Sequence, residues 1–122
     1  MNLQNKYLLH WYQSIICLIF LMIILGGFTR LTDSGLSITE WGVVSGIIPP
    51  LNQHDWDALF AKYQEIPEFK LINFAMNIAD FKQIFWLEYL HRILGRILGI
   101  ITISGFMVFV TSKVFTSLQK KR

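Results

Sequence analysis

The stretch Glu88-Tyr89-Leu90-His91-Arg92-Ile93-Leu94-Gly95-Arg96 sets a carboxylate, an imidazole and two guanidinium groups inside an otherwise apolar run. In a membrane helix such groups are costly unless they pair, face the protein interior or hold a ligand. A helix turns about 100° per residue, so with Glu88 at zero His91 falls at about −60°, Arg92 at about +40°, Gly95 at about −20° and Arg96 at about +80°. The polar and small residues therefore share one face. Leu90, Ile93, Leu94, Ile97, Ile100 and Ile101 lie round the other side. A neutral imidazole on such a helix can serve as an axial haem ligand. Gly95 and Gly99 leave a strip without side chains where a flat macrocycle can approach, and Arg92 or Arg96 can pair with its propionates. Glu88, one turn from His91, can accept a proton or stabilise charge. Plainer readings stand beside these. An intramembrane histidine is often a hydrogen-bonded packing residue. Glu88 and Arg92 are four apart in the favourable order and can neutralise each other. Gly95-x-x-x-Gly99 is also a helix-packing motif.

The elements that must position this face are two apolar runs. The chain has 122 residues, of which 53% are hydrophobic and 16% charged, and its mean hydropathy is +0.46. This composition points to an all-α integral membrane protein. The expected order is a lead-in over 1–10, a transmembrane helix over 11–28, a structured loop over 29–83, a second transmembrane helix over 84–111 and a basic tail over 112–122. Two helices enclose little, so they form part of a larger helical bundle or a subunit. The first run lacks a small-x-small cleavage pattern after Gly26-Gly27, so it is read as a retained helix rather than a signal peptide. Trp11 and Tyr12 suit the inner aromatic belt, and Trp41 suits an interface anchor.

Charge placement sets the orientation. Lys6 stands at the head, and Lys113, Lys120, Lys121 and Arg122 in the tail. By the positive-inside rule both termini are cytoplasmic and the loop lies outside. Counting about 20 residues back from Lys113 puts His91 near the outer edge of the hydrocarbon. Glu88 is then about one turn further out and Arg96 about one turn deeper. In the loop, Pro49-Pro50 stops any helix. Asn52 or Asp55 can cap a segment in which Trp56, Leu59, Phe60 and Tyr63 follow an amphipathic spacing. A second short helix is expected from Pro67-Glu68, carrying Phe69, Leu71, Ile72, Phe74, Ala75, Ile78 and Phe81. The long loop is thus read as two short amphipathic helices lying on the outer membrane surface or capping a bundle.

Other chemistries find no support. The sequence carries no phosphate-binding glycine loop, zinc spacing or nucleophile elbow, and no basic patch interleaved with aromatics for nucleic acid. The single cysteine, Cys17, permits no disulfide within the chain. His10 and His54 are poorly placed to join His91 as a second ligand.

The ordered residues Gly26-Gly27-Phe28-Thr29-Arg30-Leu31-Thr32-Asp33-Ser34-Gly35-Leu36-Ser37, Trp41, Gly46-Ile47-Ile48-Pro49-Pro50-Leu51, Trp56, Phe60, Tyr63, Pro67-Glu68 and Phe81 through Arg96 resemble the haem A synthase family. More narrowly, they resemble its proteobacterial and mitochondrial branch. The resemblance covers nearly the whole chain from Trp11 onward. It implies oxidation of the C8 methyl of haem O to a formyl group, giving haem A for terminal oxidases. It also implies a multi-span inner-membrane protein, bacterial or mitochondrial, built as two related four-helix halves. Histidines on facing helices ligate haem in this family, with haem B as the usual cofactor. The family's Glu-x-x-His pair falls on Glu88 and His91, which makes His91 an iron ligand and Glu88 a functional carboxylate.

This sequence departs from the family pattern in length. Family members are more than twice as long, and the cysteine pair that some branches carry in the first outer loop is missing here. The expectation is an amino-terminal portion, a split-gene product, or one chain of a complex whose other spans supply the second histidine. The expected partners are membrane lipid, haem and those missing spans. The alternative is a non-catalytic fragment that packs or forms a homo-oligomer through Gly95 and Gly99, a homodimer offering two copies of His91 to one haem.

Overall fold

The computed structural model of the chain describes residues 3–40, 42, 44 and 46–111. Trp41 and the basic tail lie outside the described residues. Among the described residues four helices follow in order: α1 (Leu3–Leu31), α2 (Gln53–Glu65), α3 (Pro67–Leu71) and α4 (Ile78–Thr111). No strand occurs among the described residues. α1 and α4 are long and apolar enough to cross a membrane, and only 6% of the most apolar stretch of each is buried. That exposure excludes a soluble core helix, because Ile16, Phe20, Ile23, Ile100 and Ile103 all face outward. An outward apolar face of this kind belongs against lipid. The chain is an all-helical membrane protein.

The chain divides into two compact units, one of residues 1–23 and 94–122 and the other Ile24–Ile93. In the first, α1 and α4 run antiparallel. Covered positions on α1 recur at Leu8, Trp11, Ile15, Leu18 and Met22, the three-and-four spacing of a helix–helix seam. Leu8 and Phe109 are buried together with Trp11 against them. The Trp11 indole N–H donates to the Ile101 carbonyl at 2.8 Å. A side chain at Gly105 would run into the Trp11 ring, so glycine there is what lets the ring reach the backbone of α4. Trp11 thus closes a helix pair, where the sequence suggested a headgroup-level anchor.

The second unit explains how the loop holds its shape. α1 does not stop at Gly26-Gly27. Thr29 and Thr32 donate their hydroxyls back to the carbonyls of Gly26 (2.8 Å) and Phe28 (2.7 Å), and the helix continues to Leu31. It ends with Asp33 at φ +48°, a left-handed position that aspartate tolerates. Ser34 N–H then reaches the Thr29 carbonyl at 3.0 Å and Asp33 N–H the Arg30 carbonyl at 3.4 Å. This is a Schellman-type end, and it turns the chain into segment 34–40. Further on, the Asn52 side chain accepts from Asp55 N–H at 2.9 Å and starts α2. Trp56 and Tyr63 of α2 pack with Phe81 and Phe85 of α4 and with Ile38 in one core. Trp56 meets Phe85 edge-on at 4.9 Å, the geometry aromatic rings prefer.

The second short helix begins at Pro67, as the sequence suggests, but ends at Leu71. Ile78 and Phe81 belong to α4. The physical reason is Asn77. Its side chain accepts from Ala79 N–H (2.8 Å) and Asp80 N–H (3.1 Å), and Asp80 accepts in return from Asn77 N–H at 3.4 Å. That reciprocal cap opens α4 at Ile78, ahead of the apolar run at Ile84.

Candidate functional site

Within residues 24–93 the second apolar run delivers Glu88, His91 and Arg92 on one helix, and segment 34–40 closes over Glu88. Glu88 is only 3% exposed. One of its oxygens accepts from the Ser37 hydroxyl at 2.6 Å and from Ile38 N–H at 2.8 Å. The other accepts from Arg92 Nε at 2.9 Å and Arg92 Nη2 at 2.5 Å. A carboxylate offers about four acceptor sites, and the chain's own donors fill them. Arg92 also donates to the carbonyls of Ile38 (3.0 Å) and Glu40 (3.2 Å). The guanidinium fork therefore grips Glu88 on its own helix and the loop backbone together. Beyond the grip, Lys62 of α2 pairs with the Glu40 side chain and holds that carboxyl below its ordinary range.

The pairing of Glu88 with Arg92 that the i, i+4 spacing suggested is present. Ser37 and the Ile38 amide were not visible as part of it. They stand 51 and 50 residues from Glu88, and no local period links them. The structure engages Arg92 with Glu88 and the loop carbonyls. Gly95 and Arg96 belong to the other unit. There a Cβ at Gly95 would meet the Met22 side chain at 3.5 Å, so α1 covers that position within the chain. Arg96 is half-buried and is not without a partner.

His91 differs from its neighbours. It is half-buried, and no hydrogen bond ties its ring among the described residues. No buried side-chain nitrogen or oxygen lacks a partner there, so the ring nitrogens of His91 reach the surface of the chain. A Cβ at Gly26 of α1 would stand 3.4 Å from its Nε2 and 3.9 Å from its Cε1. No group of three or more His, Cys, Asp or Glu side chains among the described residues can enclose a metal ion. A single open imidazole fits instead a metal already held in a macrocycle, which takes one ligand per face. Haem meets that description, and His91 is the candidate residue for it.

A family model described as cytochrome oxidase assembly protein matches residues 9–122. Haem A synthase of Orientia tsutsugamushi (strain Boryong) is 56% identical over 105 residues, covering 86% of this chain and 29% of the relative. Haem A synthase of Nitrosospira multiformis is 48% identical over 103 residues, covering 84% of this chain and 29% of the relative. Haem A synthase of Cereibacter sphaeroides (strain ATCC 17025) is 47% identical, covering 84% and 26%. The chain thus spans less than a third of the length of these curated relatives. No solved structure matches it. On the match across residues 9–122, the chain belongs to the cytochrome oxidase assembly protein family.

Proposed function

We propose that this chain serves haem A biosynthesis as a haem-holding part of a haem A synthase, the oxidoreductase that converts the C8 methyl of haem O to a formyl group. The observation that carries the reading is His91, an accessible imidazole without a hydrogen bond, one turn from a buried carboxylate whose acceptor sites are filled. When bound, haem would supply the redox chemistry. This chain's own residues supply the ligand and its setting. His91 offers a nitrogen to iron. Glu88 fixes a negative charge beside that position, and its hydrogen bonds to Ser37 and Ile38 hold segment 34–40 against α4. A preorganised charge of this kind acts without reorganising at the moment of reaction. With its acceptor sites filled, Glu88 serves first to hold charge and geometry; taking a proton would require one of those bonds to break. Haem B as the resident cofactor, haem O as substrate, and further membrane helices that bring a second histidine complete the proposal. The loop faces the outside of the bacterial inner membrane and both termini the cytoplasm, following the placement of lysine and arginine.

The test is spectroscopic. The full chain, purified from haem-supplied membranes in detergent, is expected to carry haem with a histidine-ligated Soret band. His91→Ala is expected to lose most of it. Equal haem content in the variant would overturn the ligand assignment. Haem A production is then measured by pigment extraction from a strain whose own enzyme is deleted, with the chain expressed alone and alongside the remaining spans of a relative.

A further inference from the structure

We propose that the turn before α2 is a lipid-contacting wedge, which sets Val44, Ile48 and Leu51 against the outer leaflet at the level of Tyr89; this rests on α4 spanning the membrane with its first turns outside, and not on haem at His91. Residues 42–51 carry no charge, while Glu40 precedes them and Asp55 follows. Val44 is 76% exposed, Ile48 74% and Leu51 79%, and aliphatic side chains gathered this way are unfavourable in water. One hydrogen bond fixes their depth. The Tyr89 hydroxyl donates to the Ile47 carbonyl at 2.6 Å. Tyr89 stands about 3 Å of helix rise from His91, which the count back from Lys113 puts at the outer edge of the hydrocarbon. Trp86, one turn further out, is 41% exposed and meets Tyr89 edge-on with ring centroids 5.4 Å apart. Exposed Trp and Tyr side by side mark the headgroup level of a spanning helix, so α4 itself moors the turn at that level.

The backbone of the turn suits this position. Irregular backbone does not enter the hydrocarbon, because its N–H and C=O groups need partners. The chain therefore stays among headgroups and water, and only the side chains reach the acyl boundary. Pro49 and Pro50 have no N–H to satisfy, and the Ile47 carbonyl is already served by Tyr89. Gly46, at φ +73°, takes the left-handed position that reverses the chain. Lipid is favoured over a protein partner by the side chains themselves. Helices that pack together in a membrane meet through small or polar residues, whereas the exposed tips here are large, branched and apolar.

The experiment places the full chain, in a Cys17→Ser background, in vesicles of phosphatidylcholine and phosphatidylglycerol. Nitroxide labels are attached singly at Val44→Cys, Ile48→Cys and Leu51→Cys. Asp57→Cys serves as the reference for water, and Ile103→Cys, at a position 68% exposed, as the reference for lipid. Electron paramagnetic resonance compares collisions of each label with oxygen, which concentrates in the bilayer, and with a nickel chelate, which stays in water. The three wedge labels are expected to favour oxygen several-fold, at a depth shallower than Ile103, and Asp57 to favour the chelate. Adding Tyr89→Phe, which removes only the hydroxyl, is expected to make the Ile48 label more mobile and shift it towards water. Wedge labels that favour the chelate would overturn the proposal, leaving the turn in water. Labels shielded from both reagents would overturn it in favour of cover by a second copy of the chain. An Ile103 label that favours the chelate would remove the spanning of α4 and the wedge with it. An Ile48 label unmoved by Tyr89→Phe would overturn the mooring by that hydroxyl. None of these readouts involves haem, so the wedge and the assignment of His91 fail separately.

Discussion

At the scale of single residues, Glu88 connects structure and chemistry most closely. Three groups serve it: a hydroxyl, a backbone amide and a guanidinium. Ser37→Ala removes one donor and leaves a buried acceptor short, which costs about 1–3 kcal/mol. The expected result is a lower midpoint of thermal unfolding in detergent, followed by circular dichroism. Glu88→Gln is more severe. It strips the counter-charge from Arg92, whose side chain is 18% exposed, and breaking such a pair from one side costs about 3–5 kcal/mol. A Glu88→Gln chain no less stable than Ser37→Ala would show that the ion pair holds nothing. Glu68 supplies a pH-dependent counterpart in the loop. Burial first, then the charges of Asp33 and Glu88, raise its carboxyl above the ordinary value. A raised acid binds its proton more tightly when folded, so stability falls as pH rises from the unfolded value through the folded one. Acidification from neutral towards the ordinary carboxylate range is therefore expected to add stability through this group, and Glu68→Gln to remove that increment. The difference between the two melting profiles across that range measures it.

At the scale of elements, the ends of helices were more legible than their tertiary partners. Asn52 before an amphipathic run and Pro67 at a first turn are local signals, and both mark observed helix starts. Asn52→Ala is expected to destabilise α2 by about 0.5–2 kcal/mol, read as earlier melting and faster amide exchange in that helix. The break at residues 72–77 was not legible, because apolar residues continue through it at helical spacing while Asn77 diverts the backbone into a cap. Long-range contacts were hidden for a different reason. Trp11 and Ile101 are 90 residues apart, and nothing in the period of either helix names the other. Their junction gives a sharp prediction all the same. Gly105→Val puts branched bulk where the Trp11 ring sits, so the indole must leave the Ile101 carbonyl. The expected outcome is a shift in tryptophan fluorescence and a chain that melts earlier. Gly99→Val, at a position with nothing within 4 Å, is expected to change neither.

At the scale of the whole molecule, the order of elements constrains topology before any shape is considered. Two spanning helices joined by one loop return the chain to the side from which it started. The loop carries seven acidic residues, Asp33, Glu40, Asp55, Asp57, Glu65, Glu68 and Asp80, against Arg30, Lys62, Lys70 and Lys82. Lys113, Lys120, Lys121 and Arg122 follow the second span. Orientation follows lysine and arginine near the span ends rather than net charge, so the tail is expected to decide and the loop to be delivered outward. His91 stood out as a candidate because an ionisable group within an apolar run is costly without a role. Its neighbour Gly26 did not, because the two stand on different helices and no local period links them. Orientation can be read in cells with single cysteines in a Cys17→Ser background. Asp57→Cys is expected to react with a membrane-impermeant maleimide in spheroplasts, and Lys6→Cys only after the membrane is opened. The reverse pattern would place His91 near the cytoplasmic face and with it the haem. Reaction at both positions in intact cells would show that one of the two apolar helices does not span.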